Sequence, residues 1–148
     1  MIALGCDHGG YELKQEIKKY LDEKGIEYKD YGCDSLESVD YPIYAKKVAH
    51  AILDGKCEKG ILICGTGIGV SIAANKVPGA YAALVNNVYQ AQRAQLSNNA
   101  NIITLGAQVT GIELAKCLVK EYLSVTFDPE SRSMPKVARI TEYEKEGK

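Results

Sequence analysis

A chain of 148 residues with a formal net charge of −1 gives no electrostatic reason to expect nucleic acid or an anionic membrane as a partner. With 46% hydrophobic residues it is expected to form one domain over residues 1–148, burying roughly two-thirds of its unfolded surface. No stretch approaches transmembrane length.

Met1 leads straight into Ile2-Ala3-Leu4-Gly5-Cys6 without a basic segment and a long apolar run, so no secretory leader is expected and a cytoplasmic location is. The cysteines Cys6, Cys33, Cys57, Cys64 and Cys117 are scattered, odd in number and never spaced Cys-x-x-Cys, which fits free thiols in a reducing compartment. His8 and His50 are too few and too far apart for a zinc site. No metal is expected.

In chain order, Ile2 to Cys6 reads as a first strand, ending in Cys6-Asp7-His8-Gly9-Gly10. A helix follows from about Tyr11, with Leu13, Ile17 and Leu21 on one face and Gly25 as its stop. Ile26 to Tyr31 is a second strand, and residues 32–40 form a polar loop. Pro42 fits the first turn of a helix that turns Tyr44, Val48 and Ile52 inward and ends near Gly55. Gly60 to Cys64 is the third strand, and a glycine loop and helix come after it. Pro78-Gly79 turns the chain into a fourth strand, Ala80 to Val85, and Asn87 caps a helix to about Leu96. Ser97 to Ala100 is a turn before strand five, Asn101 to Leu105. A helix over about Thr110 to Leu123 is expected to bury Leu114, Leu118 and Val119. Phe127-Asp128-Pro129 breaks the chain, and a last helix covers about residues 135–146, its charged end from Glu142 to Lys148 frayed.

Strand and helix alternate five times. That predicts an α/β fold, a three-layer αβα sandwich around a five-stranded parallel sheet with right-handed crossovers. Ligands in such folds lie outside the carboxyl ends of the strands, where strand order reverses. The polar residues after strands one, three and four (Asp7 and His8, Cys64 to Gly69, Asn86 and Asn87) fall at that edge.

The glycine loop follows strand three as Cys64-Gly65-Thr66-Gly67-Ile68-Gly69-Val70. Glycines 65, 67 and 69 let the backbone take positive φ and approach a ligand. Their N–H groups and the next helix start favour negative charge, including the thiolate of a cysteine there. A dinucleotide fingerprint wants its third glycine one residue later, at Val70, and an acid where Asn86 and Asn87 stand. A Walker loop lacks its Gly-Lys-Ser/Thr, and a cysteine phosphatase would need arginine at Val70. What remains is a small anionic metabolite held by backbone N–H groups, with Cys64 as acid or base. A thiol ending a buried strand also serves simply as packing, and on Cys64 alone the two readings balance. The other cysteines read as packing, His50 as a surface residue, and Asp7 as either a site residue or a helix cap.

Gly5-Cys6-Asp7-His8-Gly9-Gly10, Asp40-Tyr41-Pro42, Cys64 to Gly69, Ala74-Asn75-Lys76 and Asn98 to Asn101 together resemble the sugar-phosphate isomerase family of ribose-5-phosphate isomerase B, which includes galactose-6-phosphate isomerase subunits. The likeness runs along essentially the whole chain in order. It implies a Rossmann-like fold and a cofactor-free aldose–ketose isomerase of the pentose phosphate pathway, interconverting ribose 5-phosphate and ribulose 5-phosphate through an enediolate. It implies a homodimer with an active site shared between subunits, able to pair into a tetramer. On the matching positions it makes Cys64 the base and places Thr66 beside it. Asp7, His8, Tyr41, Gly65, Gly67, Gly69 and Asn98 would bind substrate, and His8, Arg132 and Lys136 the phosphate.

Some positions depart from the family's pattern. Ser97 stands where a histidine commonly opens the sugar ring, and serine cannot shuttle protons as imidazole does; His8 or Asp7 would have to take that role, or the open-chain sugar would be used. Lys136 offers a point charge where arginine is frequent, and Gln108 replaces another arginine. Some relatives lack the cysteine and use glutamate at the position of Val70; this chain has the cysteine and no such acid. Hexose phosphates are the alternative substrates, and a non-catalytic sugar-phosphate or nucleotide-binding module is the alternative function.

Overall fold

The computed structural model describes residues 1–147. The strands are β1 (Ile2–Cys6), β2 (Tyr28–Asp30), β3 (Lys59–Cys64), β4 (Ala82–Leu84) and β5 (Ile102–Gly106). Between and after them come α1 (Tyr11–Glu23), α2 (Tyr41–Leu53), α3 (Ile68–Asn75), α4 (Val88–Leu96), α5 (Ile112–Leu123) and α6 (Met134–Lys145). All strand pairs are parallel, in the order β2-β1-β3-β5-β4. Strand order reverses at β1 and β3, whose register pairs Cys6 with Ile63.

Every residue of β1 and β5 is buried, as expected of strands covered on both faces. Side chains alternate between two cores. Leu4, Ile61, Ile63, Ile103 and Leu105 pack with α1, α4 and α5 residues, among them Leu13, Ile17, Ala91 and Leu118. Ala3, Leu62, Cys64 and Ile102 pack with Val48, Ala49, Val70 and Ala74 of α2 and α3. The αβα sandwich of the sequence reading is the observed architecture.

Several details differ from the sequence expectation. β2 and β4 are three residues each, trimmed to the positions that pair with β1 and β5. His8–Gly10 form a single 3-10 turn before α1. On α5, Leu114 is exposed, and the buried face is Ala115, Leu118, Val119 and Tyr122. Tyr122 fixes that phase, because its hydroxyl donates to Ala100 O at 2.7 Å beneath the sheet. Tyr44 and Ile52 are only partly buried, while Ala45 and Ala49 line the inner face of α2 beside Val48. The end of the chain is not frayed at Glu142: α6 stays helical to Lys145, and Glu144 accepts from Gly79 N and from the Tyr81 hydroxyl, both at 2.9 Å. Lys148 lies outside the described residues.

Candidate active site

The carboxyl ends of β1 and β3 lie side by side, and two loops leave them. Asp7 donates its N–H to Ile63 O at 3.2 Å, and its Oδ1 caps the 3-10 turn at Gly10 N, also 3.2 Å. It is therefore both the turn's cap and a buried carboxylate at the strand end. A side chain at Gly9 would meet Gly65 N at 3.2 Å, so the two loops touch through their backbones. His8 accepts the Val39 N–H on Nδ1 at 3.2 Å. That bond leaves the neutral ring's proton on Nε2, making His8 a donor with no free base nitrogen.

Gly67 has φ 79°, the left-handed conformation that glycine tolerates. A side chain there would strike Leu84 and the Leu105 and Gly106 backbone. Its N–H donates to Cys64 Sγ at 3.1 Å, and its carbonyl accepts from buried Thr104 at 2.8 Å. Gly65 O accepts from Gln108 N at 2.9 Å, and Cys64 O from Ala107 N at 2.9 Å. The loop is thus riveted to the end of β5. Thr66 is exposed and takes the Ile68 N–H on Oγ1 at 3.1 Å, capping α3 while keeping its own O–H to give. The N–H groups of Gly65 and Thr66 have no acceptor among the described residues. The Tyr41 ring lies over Gly69, where an added Cβ would come within 2.6 Å of it. The loops after β1 and β3 thus carry Asp7, His8, Cys64 and Thr66 at neighbouring strand ends, with Tyr41 packed over Gly69. The sequence did not anticipate Thr104, whose only signal is a lone polar side chain in an apolar strand.

Cys64 is 5% exposed, so the sulfur is drawn into the turn and not displayed at its mouth. Cys6, one strand over, is fully buried with its Sγ 3.8 Å from that of Cys33. Burial pushes the Cys6 thiol up to about 12, which keeps it a packing residue.

The remaining predicted residues form a second group. Ser97, Asn98, Arg132 and Lys136, joined by Tyr89, Arg93 and Ser133, line a cavity of about 630 Å³. Arg93 donates its Nε–H to Ser97 Oγ at 2.6 Å. Among the described residues no carboxylate lines this cavity. It runs along one face of α4, from Tyr89 in the first turn to Ser97 and Asn98 past the last. None of the glycine-loop residues lines it. Among the described residues no group of histidine, cysteine and acidic side chains is placed to hold a metal ion, and no helix is long and apolar enough to cross a membrane.

Residues 2–140 match the family described as Ribose/Galactose Isomerase. The chain belongs to that family. It is 48% identical over 148 residues to the D-erythrulose-4-phosphate isomerase of Pectobacterium atrosepticum, covering 99% of this chain and 97% of that protein. It is 45% identical over 143 residues to ribose-5-phosphate isomerase B of Escherichia coli, covering 97% and 95%. The solved structure of Clostridium thermocellum ribose-5-phosphate isomerase B superposes with a TM-score of 0.95 at 47% identity, covering 99% of each chain. This family member is a sugar-phosphate isomerase.

Proposed function

We propose that the chain interconverts ribose 5-phosphate and ribulose 5-phosphate, with Cys64 as the base and the site completed by a second copy of the chain. The observation that carries this reading is the Gly67 N–H aimed at Cys64 Sγ, beside two uncommitted loop N–H groups. That N–H fixes where the sulfur sits in the turn. Sγ would remove the proton from C2 of the open-chain aldose. The electron pair then forms the C1–C2 double bond, and negative charge collects on O1. The Gly65 and Thr66 N–H groups are suited to hold that oxygen, in the manner of an oxyanion hole. Sγ returns the proton to C1, while the Thr66 hydroxyl relays the O2 proton to O1. Asp7 and Tyr41 face the sugar hydroxyls, and His8 Nε2–H the phosphate.

Arg132, Lys136 and Asn98 line a cavity that no glycine-loop residue lines, so in this reading the partner copy supplies them. Exposed Ile68 and Ile72 on α3 and Val88 and Tyr89 on α4 support a copy-to-copy contact. Two variants test both parts. Cys64→Ala and Arg132→Ala should each be crippled alone. Mixed and refolded together, they should regain part of the activity, because a hybrid dimer holds one site with both residues intact. A mixture no better than its components would remove the shared site.

A second reading of the substrate is favoured by Ser97, which is bound to Arg93 and offers no proton shuttle near neutrality. His8, with Nδ1 occupied, supplies none either. A four-carbon aldose 4-phosphate has its ring-closing hydroxyl esterified and needs no ring opening. The Pectobacterium relative, named for D-erythrulose 4-phosphate, agrees with that choice. Comparing kcat/KM on erythrose 4-phosphate, ribose 5-phosphate and hexose 6-phosphates separates the two readings.

A further inference from the structure

Arg132 and Lys136 give the cavity along α4 one planar fork and one point charge, both on exposed side chains of the first turns of α6 or just before it. Arg93 enters the same cavity from α4 and is half-buried. Its Nε–H is spent on Ser97 Oγ at 2.6 Å, which fixes the plane of the guanidinium. The other four N–H groups have no partner among the described residues, and no carboxylate shares the cavity. Three cations without an acid repel one another until an anion arrives. A fork with a fixed plane loses little freedom in making two parallel bonds to phosphate oxygens.

We propose that Arg93 is a third phosphate-binding cation of this site, with Ser97 as its positioning residue. It supplies the second bidentate fork that Lys136 cannot. This rests on reading the cavity as the phosphate end of an isomerase site. Since guanidinium groups stay charged throughout the accessible pH range, the share of the affinity that Arg93 supplies should not change with its own ionisation.

The test uses the full-length protein, inorganic phosphate as the probe in calorimetry, and steady-state kinetics on ribose 5-phosphate. Arg93→Leu should weaken phosphate binding about tenfold or more and raise KM alike, with kcat held within about twofold, as expected when uniform binding is lost. Arg93→Lys, which keeps the charge but not the fork, should fall between, and its melting temperature guards against misfolding of the leucine variant. Ser97→Ala should cost less than Arg93→Leu, and Lys136→Arg should recover part of the loss in the Arg93→Leu background. Phosphate affinity unchanged in Arg93→Leu, or a fall in kcat with KM intact, overturns the proposal. Calorimetry needs no turnover, so an absence of isomerase activity would strike the functional reading and leave the phosphate result standing.

Discussion

At the carboxyl edge of the sheet, Cys64, Gly65 and Gly67 are held by main-chain bonds to the end of β5 and by one buried hydroxyl, that of Thr104. Along α4, Arg93, Arg132 and Lys136 reach into their cavity on long side chains from α4, α6 and the segment just before α6. The first site is made of backbone and cannot change without disturbing the core beneath it. The second is made of side chains that fold independently of their chemistry. Reaction geometry and phosphate affinity should therefore respond to mutation in different ways.

The sharpest test of that division is Cys64→Ala, which should lower turnover by about a thousandfold, the scale of general-base catalysis, while costing only about 1 kcal/mol of stability. Stability is read from denaturant unfolding. Gly67→Ala should break both properties together. The φ of 79° and a Cβ 2.6 Å from Leu84 Cδ1 should cost about 3 kcal/mol, seen as a lower melting temperature along with lost activity. Arg132→Ala should leave the melting temperature alone and raise KM for a phosphorylated sugar much more than for the free sugar; equal effects on both would remove Arg132 from phosphate binding.

The smallest effect concerns the frame of the first site. Lys14 is buried, with Nζ 2.6 Å from both Asp30 Oδ1 and Cys33 O, and Asp30 also accepts from Gly32 N at 2.9 Å. Burial alone would raise the Asp30 carboxyl, but Lys14, the Gly32 N–H and Lys18 together hold it below the usual range. Its contribution is thus complete above the unfolded value and is lost as pH falls through the lower folded one. Asp30→Asn should lower stability by about 1 kcal/mol at neutral pH, and the two unfolding curves should converge below about pH 4. A gap that persisted in acid would assign the effect to packing.

The same contrast explains what could be read from the sequence. Glycines at alternate positions after an apolar strand, Asp7 at a strand end and Asn87 before a helix are local signals, and each sits where its pattern put it; Asn87 caps α4 at Gln90 N over 2.8 Å. Leu114 was misplaced because α5 takes its phase from Tyr122, whose partner lies on another element. Lys14 carries no signal in the sequence, since nothing local shows that the fold brings Asp30 and the Cys33 carbonyl against it. Arg93 lies four residues before its partner Ser97, the C-cap of α4, but its membership of a cation cavity depends on where α6 returns.

That return has a mechanical consequence. α6 is moored by Glu144 to Gly79 and Tyr81, while Arg132 and Lys136 ride at its other end. The stretch from Ser124 to Ser133 leads into that charged end and is itself held by buried Phe127 and by Lys59 Nζ on Val125 O at 2.8 Å. The direction in which the two charges point therefore leans on a carboxylate three turns away that never meets the ligand.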